Sequence, residues 1–130
     1  MIVVDASALL EVILRTQAAP DVERRLFAPG QTLHAPHLLD VEVAQVIRRY
    51  VASGDIDDGR GRAALSDLLD FPVRRYPHDV LLPRVWELRR NLTAYDAVYV
   101  ALAEALDVPL LTRDRRLAGA AGHRARIELA

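Results

Sequence analysis

The fold class this sequence predicts is α/β: a mainly parallel, twisted sheet of about five strands with helices on both faces. Three observations carry it. Short apolar runs of strand length alternate with longer stretches of helical periodicity along the whole chain. The first run, Ile2-Val3-Val4, is β-branched and apolar at consecutive positions, as in a strand buried on both faces. The stretch from Thr93 to Leu106 is apolar almost all round, as in a helix buried on several sides.

The elements follow in order. Residues 2–4 form the first strand. Ala6 to about Leu14 is a helix, and Pro20 to Leu26 a second, with Pro20 at its opening. Pro29-Gly30 marks a turn, and Thr32 to Ala35 a short strand. Pro36 opens a helix to about Ser53, stopped by Gly54. Its apolar stripe is Leu39, Val43, Val46, Ile47 and Tyr50. Asp57 to Leu69 is helical despite Gly59 and Gly61, and Val73 to Tyr76 is a strand. A helix begins after Asp79 and reaches Arg90, with Pro83 in its first turn, where amides lack intrahelical partners. Thr93 starts the apolar helix to Leu106. Leu110 to Thr112 is a strand, and Ile127 to Leu129 a last edge strand. No repeat, linker or low-complexity segment interrupts the pattern.

Length and composition set bounds. The chain has 130 residues, so one domain over 1–130 is expected, large enough to bury a core without staples. It has no cysteine, which excludes disulfides, thiolate metal sites and a cysteine nucleophile. No apolar stretch approaches membrane-spanning length, and no basic leader precedes the first strand. A soluble, cytoplasmic protein is expected. Net charge is -1, which points to no particular partner. All 17 basic residues are Arg and none is Lys, a bias that a GC-rich genome explains simply.

Four acids fall where such a fold could bring them together: Asp5, Glu42, Asp96 and Asp114. Carboxyl ends of parallel strands and the helix starts beside them share one edge of the sheet, the usual ligand edge. Asp5 ends the first strand, and a helix N-cap is its bland role. Asp40 and Glu42 border the apolar stripe on opposite shoulders, and periodicity leaves the choice between them open. Thr93 and Asp96 have the spacing of a capping box. Asp114 could cap a short helix from Arg115, yet a capping carboxylate keeps a second oxygen free. Carboxylates gathered in one crevice repel one another, and a hard divalent cation is the usual remedy. The histidines, His34, His37, His78 and His123, show no metal-ligand spacing and are expected on the surface or as caps. Acidic-pocket receivers and haloacid-dehalogenase-type phosphatases both need a lysine, which this chain lacks. It has no Gly-rich phosphate loop either.

Four blocks carry a resemblance. Ile2-Val3-Val4-Asp5-Ala6-Ser7-Ala8-Leu9 resembles the opening of a PIN domain. Pro36-His37-Leu38-Leu39-Asp40-Val41-Glu42-Val43-Ala44 resembles its second block, and this match favours Glu42 over Asp40. Leu92 to Glu104, with Thr93-Ala94-Tyr95-Asp96-Ala97, is similar to the third. Leu110-Leu111-Thr112-Arg113-Asp114-Arg115-Arg116-Leu117 is similar to the fourth. The blocks come in family order and span nearly the whole chain. The nearest subgroup is VapC, the toxin of type II toxin–antitoxin pairs.

The resemblance implies a single PIN domain and an endoribonuclease that uses Mg²⁺ or Mn²⁺. It implies that Asp5 and Asp96 are the principal metal ligands, with Glu42 and Asp114 completing the shell and orienting the attacking water. Ser7 and Thr112 match accessory polar positions. Arg113, Arg115 and Arg116 lie beside the acidic edge as candidate RNA-phosphate contacts. A homodimer and a VapB-type antitoxin that covers the crevice, often with a donated arginine, are implied as well. Leu81, Leu82, Val85, Trp86 and Leu88 could supply a dimer patch, although a core role fits their spacing better. Other roles remain open on the same fold: an RNA maturation or surveillance nuclease, or a catalytically silent module that binds RNA or protein.

Overall fold

In the computed structural model, which covers residues 1–130, five short strands lie in one all-parallel sheet. They are β1 (Ile2–Val4), β2 (Leu33–Pro36), β3 (Val73–Tyr76), β4 (Leu110–Thr112) and β5 (Ile127–Leu129), in the spatial order β3-β2-β1-β4-β5. The chain leaves β1 in one direction, through β2 to β3. It then crosses back to β4 on the other side of β1 and ends at β5. Right-handed crossovers in opposite directions put their helices on opposite faces. Helices α1 (Ala6–Ile13), α2 (Ala19–Leu26), α3 (Leu38–Ser53) and α4 (Asp58–Asp70) accordingly pack among themselves. Helices α5 (Leu82–Glu87) and α6 (Ala94–Leu106) form the second group, and α7 (Arg115–Ala118) leans on β4 and β5.

The packing explains the residues. Ile2, Val3 and Val4 are fully buried, because β1 is the central strand and is covered on both faces. Helix α6 lies against β1, β2 and β4, and all of Ala97–Ala103 is buried. Its small residues let the helix sit close to the sheet. Gly54 at φ 82° ends α3 in the left-handed conformation that a residue without Cβ adopts freely.

The structure corrects several sequence expectations. Pro36 does not open α3; it is the last residue of β2, paired with Tyr76, and α3 starts at Leu38. His78 Nε2 accepts the Leu38 amide at 2.9 Å and so caps α3 from a distant loop. Within α3 only Leu39, Val43 and Ile47 of the expected stripe are buried, and Tyr50 is exposed. The helix expected to begin after Asp79 and reach Arg90 is a 3₁₀ turn (Asp79–Leu81) followed by α5, which stops at Glu87. Leu81, Val85 and Leu88 join the core, whereas Leu82 and Trp86 are exposed. His34 is not a surface residue. It is buried in β2, with Nδ1 2.6 Å from the Tyr76 hydroxyl and Nε2 2.9 Å from Thr32 Oγ1. Burial, with the N-terminus and Arg74 nearby, holds its pKa below the ordinary histidine value.

Candidate active site

The neighbours of β1 run off in opposite directions, so a crevice opens beyond the carboxyl ends of the central strands. Asp5 is the first residue past β1, its amide bonded to the Leu111 carbonyl of β4. Its backbone stands at the N-cap of α1, but its side chain makes no capping bond. Asp5 Oδ2 instead accepts two hydroxyls, from Ser7 Oγ and from Thr112 Oγ1, each at 2.7 Å. Those hydroxyls are themselves oriented. Ser7 Oγ accepts the Arg113 amide at 2.9 Å, and Thr112 Oγ1 accepts the Asp114 amide at 3.0 Å. Both hydroxyl protons are thereby committed to Asp5. Its Oδ1 has no hydrogen bond, although the residue is only 7% exposed. Asp5 thus holds the N-cap position that was its bland alternative, but its side chain serves the two hydroxyls and makes no capping bond.

Glu42 lies in the second turn of α3. Its Oε1 accepts the Tyr99 hydroxyl from α6 at 2.6 Å. Asp40, its rival in the sequence, turns the other way and pairs with Arg75 at 2.8 Å. Burial raises the Glu42 pKa, the Tyr99 bond opposes that, and the charges of Asp5 and Asp96 add to the rise. Tyr99 is fully buried, and burial together with Glu42 pushes its pKa far up, so its proton stays on the phenol.

Asp96 is in the first turn of α6, where its amide donates to Thr93 Oγ1 at 3.2 Å. Burial raises its pKa, and Asp5 and Asp114 raise it further, while Arg116 pulls it down. Asp114 does two things at once. Oδ1 caps α7 by accepting the Arg116 and Leu117 amides at 2.9 and 3.3 Å, and Oδ2 faces outward toward the Arg116 guanidinium.

One cleft of about 460 Å³ is lined by all four acids, with Ser7, Leu38, Gln45, Arg49 and Tyr95 around them. Thr112 lies beneath it, fully buried. The three expected arginines part company. Arg113 turns aside, with Nη1 on the Ala130 carbonyl at 2.9 Å and Nε 3.9 Å from Glu11. Arg115 is exposed and has no acidic partner. Arg116 Nη2 stands 3.9 Å from Asp96 Oδ2 and 3.8 Å from Asp114 Oδ2. Sequence reasoning missed Tyr99, Gln45, Arg49 and Tyr95. Tyr99 alone left a signal: a hydroxyl in a nearly all-apolar helix needs a buried partner.

The donor set fits a hard divalent cation. Every candidate ligand is a carboxylate, Asp5 Oδ1 carries no hydrogen bond, and neighbouring acids add to the raised pKa values of Glu42 and Asp96. No group of three or more His, Asp or Glu side chains stands in closed metal-ligand geometry here. The four acids share a cleft without converging on one point, as like charges in a common pocket do.

Comparison with known proteins agrees with this architecture. The PIN domain model matches residues 2–122. Ribonuclease VapC12 of Mycobacterium tuberculosis is 48% identical over 129 residues, covering 99% of this chain and 98% of the relative. Ribonuclease VapC1 of the same organism is 48% identical over 128 residues, covering 98% and 96%. The crystal structure of VapBC2 from Rickettsia felis, bound to a DNA fragment from its promoter, superposes with a TM-score of 0.73. It covers 100% of this chain and 99% of that one at 13% identity, a likeness of fold alone. This chain therefore belongs to the PIN-domain family, in its VapC branch.

Proposed function

We propose that the chain is a divalent-metal-dependent endoribonuclease and the toxin of a VapB–VapC pair. The observation that carries this reading is the single cleft lined by Asp5, Glu42, Asp96 and Asp114, with Asp5 Oδ1 left free by the two hydroxyls that hold Oδ2. The relatives named ribonucleases, which match nearly the full chain, support it.

Mg²⁺ or Mn²⁺, when bound, would supply a water nucleophile at neutral pH and neutralise charge on the scissile phosphate. The residues do the rest. Asp5 and Asp96 would hold the cation. Ser7 and Thr112 fix the Asp5 carboxylate, so that only Oδ1 points to the ligand. Tyr99 pins Glu42 Oε1 and leaves Oε2 to orient the attacking water and accept its proton. Asp114 spends Oδ1 on α7 and offers Oδ2 to the site. Leu38, Leu10 and Val46 line the cleft.

An antitoxin of VapB type would block the enzyme by laying a segment over the cleft. The exposed Leu82 and Trp86 on α5 offer apolar surface for a second copy, which supports a homodimer. No helix is long and apolar enough to cross a membrane. The test is cleavage of RNA by purified protein. Asp5→Asn and Asp96→Asn should each lower the Mg²⁺-dependent rate by at least about 10³-fold while leaving the circular dichroism spectrum unchanged. Wild-type cleavage by either variant would refute the assignment.

A further inference from the structure

Arg116 is the one cation within ion-pair distance of the acidic cluster; Arg49 lines the same cleft without pairing to any of the four acids. Its side chain is 82% exposed, and Nη2 sits near Asp96 Oδ2 and Asp114 Oδ2 at ion-pair rather than hydrogen-bond distance. Its backbone, by contrast, is fixed. The Arg116 amide donates to Asp114 Oδ1 at 2.9 Å, so the side chain always departs from the same point beside the cleft. A tethered base with a loosely held head can swing without unfolding anything.

From this geometry, and resting on the metal-dependent reading above, we infer that Arg116 is a displaceable counter-ion and a substrate-positioning residue. Without a divalent cation its guanidinium neutralises Asp96 and Asp114. A cation on those carboxylates expels it, and the freed guanidinium turns to the RNA phosphate at the cleft mouth. The same two oxygens cannot serve both positive partners, since two cations so close repel strongly. Guanidinium matches phosphate oxygens bidentately, and phosphate contacts fix register without reading sequence. Neighbouring charges do not substitute for it. Arg113 is held by Glu11 and the Ala130 carbonyl, and Arg115 has no acid within reach.

The prediction has opposite signs in two assays. Titration of Mn²⁺ into RNA-free protein by calorimetry should give a Kd about three- to tenfold lower for Arg116→Ala than for wild type, the effect of removing a weak competing ion pair. The same variant should raise KM for RNA about tenfold and reduce the salt dependence of KM by about one phosphate contact. Arg116→Lys, a point charge without the fork, should restore the metal Kd more fully than the KM. Arg115→Ala reports the general field and should shift the metal Kd by less than about twofold. An Arg116→Ala protein that binds Mn²⁺ no more tightly than wild type overturns the inference. So does an equal shift from Arg115→Ala. If wild type takes up no Mn²⁺ at all, the metal-dependent reading itself fails, which is a separate result.

Discussion

Thr112 Oγ1 donates a 2.7 Å hydrogen bond to Asp5 Oδ2, joining the last residue of β4 to the first residue past β1. The two stand 107 positions apart in the sequence and side by side at the carboxyl end of the sheet. The bond occupies one carboxylate oxygen and leaves the other free, so a buried hydroxyl sets the aim of Asp5.

Thr112→Val keeps the shape of that side chain and removes the hydroxyl. It leaves Asp5 one donor short and the Asp114 amide without its acceptor. A lost hydrogen bond to a charged group costs about 1.5–3 kcal/mol. Urea unfolding should show a loss of that size, and RNA cleavage should fall by at least about tenfold, since Oδ1 is no longer fixed. Wild-type stability in Thr112→Val would deny Thr112 this role.

Tyr99→Phe tests the second strut. The Tyr99 bond holds the Glu42 pKa down against burial. Its removal should raise that pKa further and move the acidic limb of the pH–rate profile to higher pH. The fold should lose only about 1 kcal/mol. An acidic limb that stays in place while the rate falls would mean that Tyr99 acts through packing alone.

Asp96 and Glu42 both have raised pKa values in the folded chain, chiefly through burial. A carboxyl that binds its proton more tightly when folded favours folding at low pH. That contribution is lost as pH climbs from the ordinary carboxylate range through the raised value. At neutral pH the site therefore costs stability in the metal-free protein. Asp96→Asn should melt a few degrees higher than wild type at pH 7, and the gap should close as pH falls toward 4. A lower melting temperature at pH 7 would contradict this. Added Mn²⁺ should raise the wild-type melting temperature and leave Asp96→Asn nearly unmoved.

His78 caps α3 through Nε2 on the Leu38 amide. His78→Ala should cost about 1 kcal/mol, as loss of an N-cap does. Because α3 carries Glu42, cleavage should weaken along with the fold. Thermal melts of the variant, with and without Mn²⁺, check it.

Much of this site was legible in the sequence because it sits at element ends. Asp5 and Asp114 follow apolar runs that could only be strands, and Asp96 follows a Thr cap into a helix too apolar to be exposed. All five strands were found, although β3, Val73-Arg74-Arg75-Tyr76, carries two charges. Periodicity could not separate Asp40 from Glu42. The difference lies in partners distant in sequence: Arg75 from β3 takes one, and Tyr99 from α6 takes the other. The boundary at Pro36 was misplaced for the same kind of reason. A proline suits both a helix start and a strand end, and β3 claimed it. Trp86 looked like core, but its ring lies under the Arg89 guanidinium on the surface, 4.5 Å from ring centroid to cation. Arg116 read as a phosphate contact, and only the fold reveals its place on Asp96 and Asp114.

The most direct measurement is anomalous diffraction from a crystal of the protein soaked in Mn²⁺. The expected result is a peak in the cleft at coordination distance from Asp5 Oδ1 and an Asp96 carboxylate oxygen, absent in Asp5→Asn crystals. A map with no peak between those two carboxylates under saturating Mn²⁺, or an identical peak in Asp5→Asn, would contradict it.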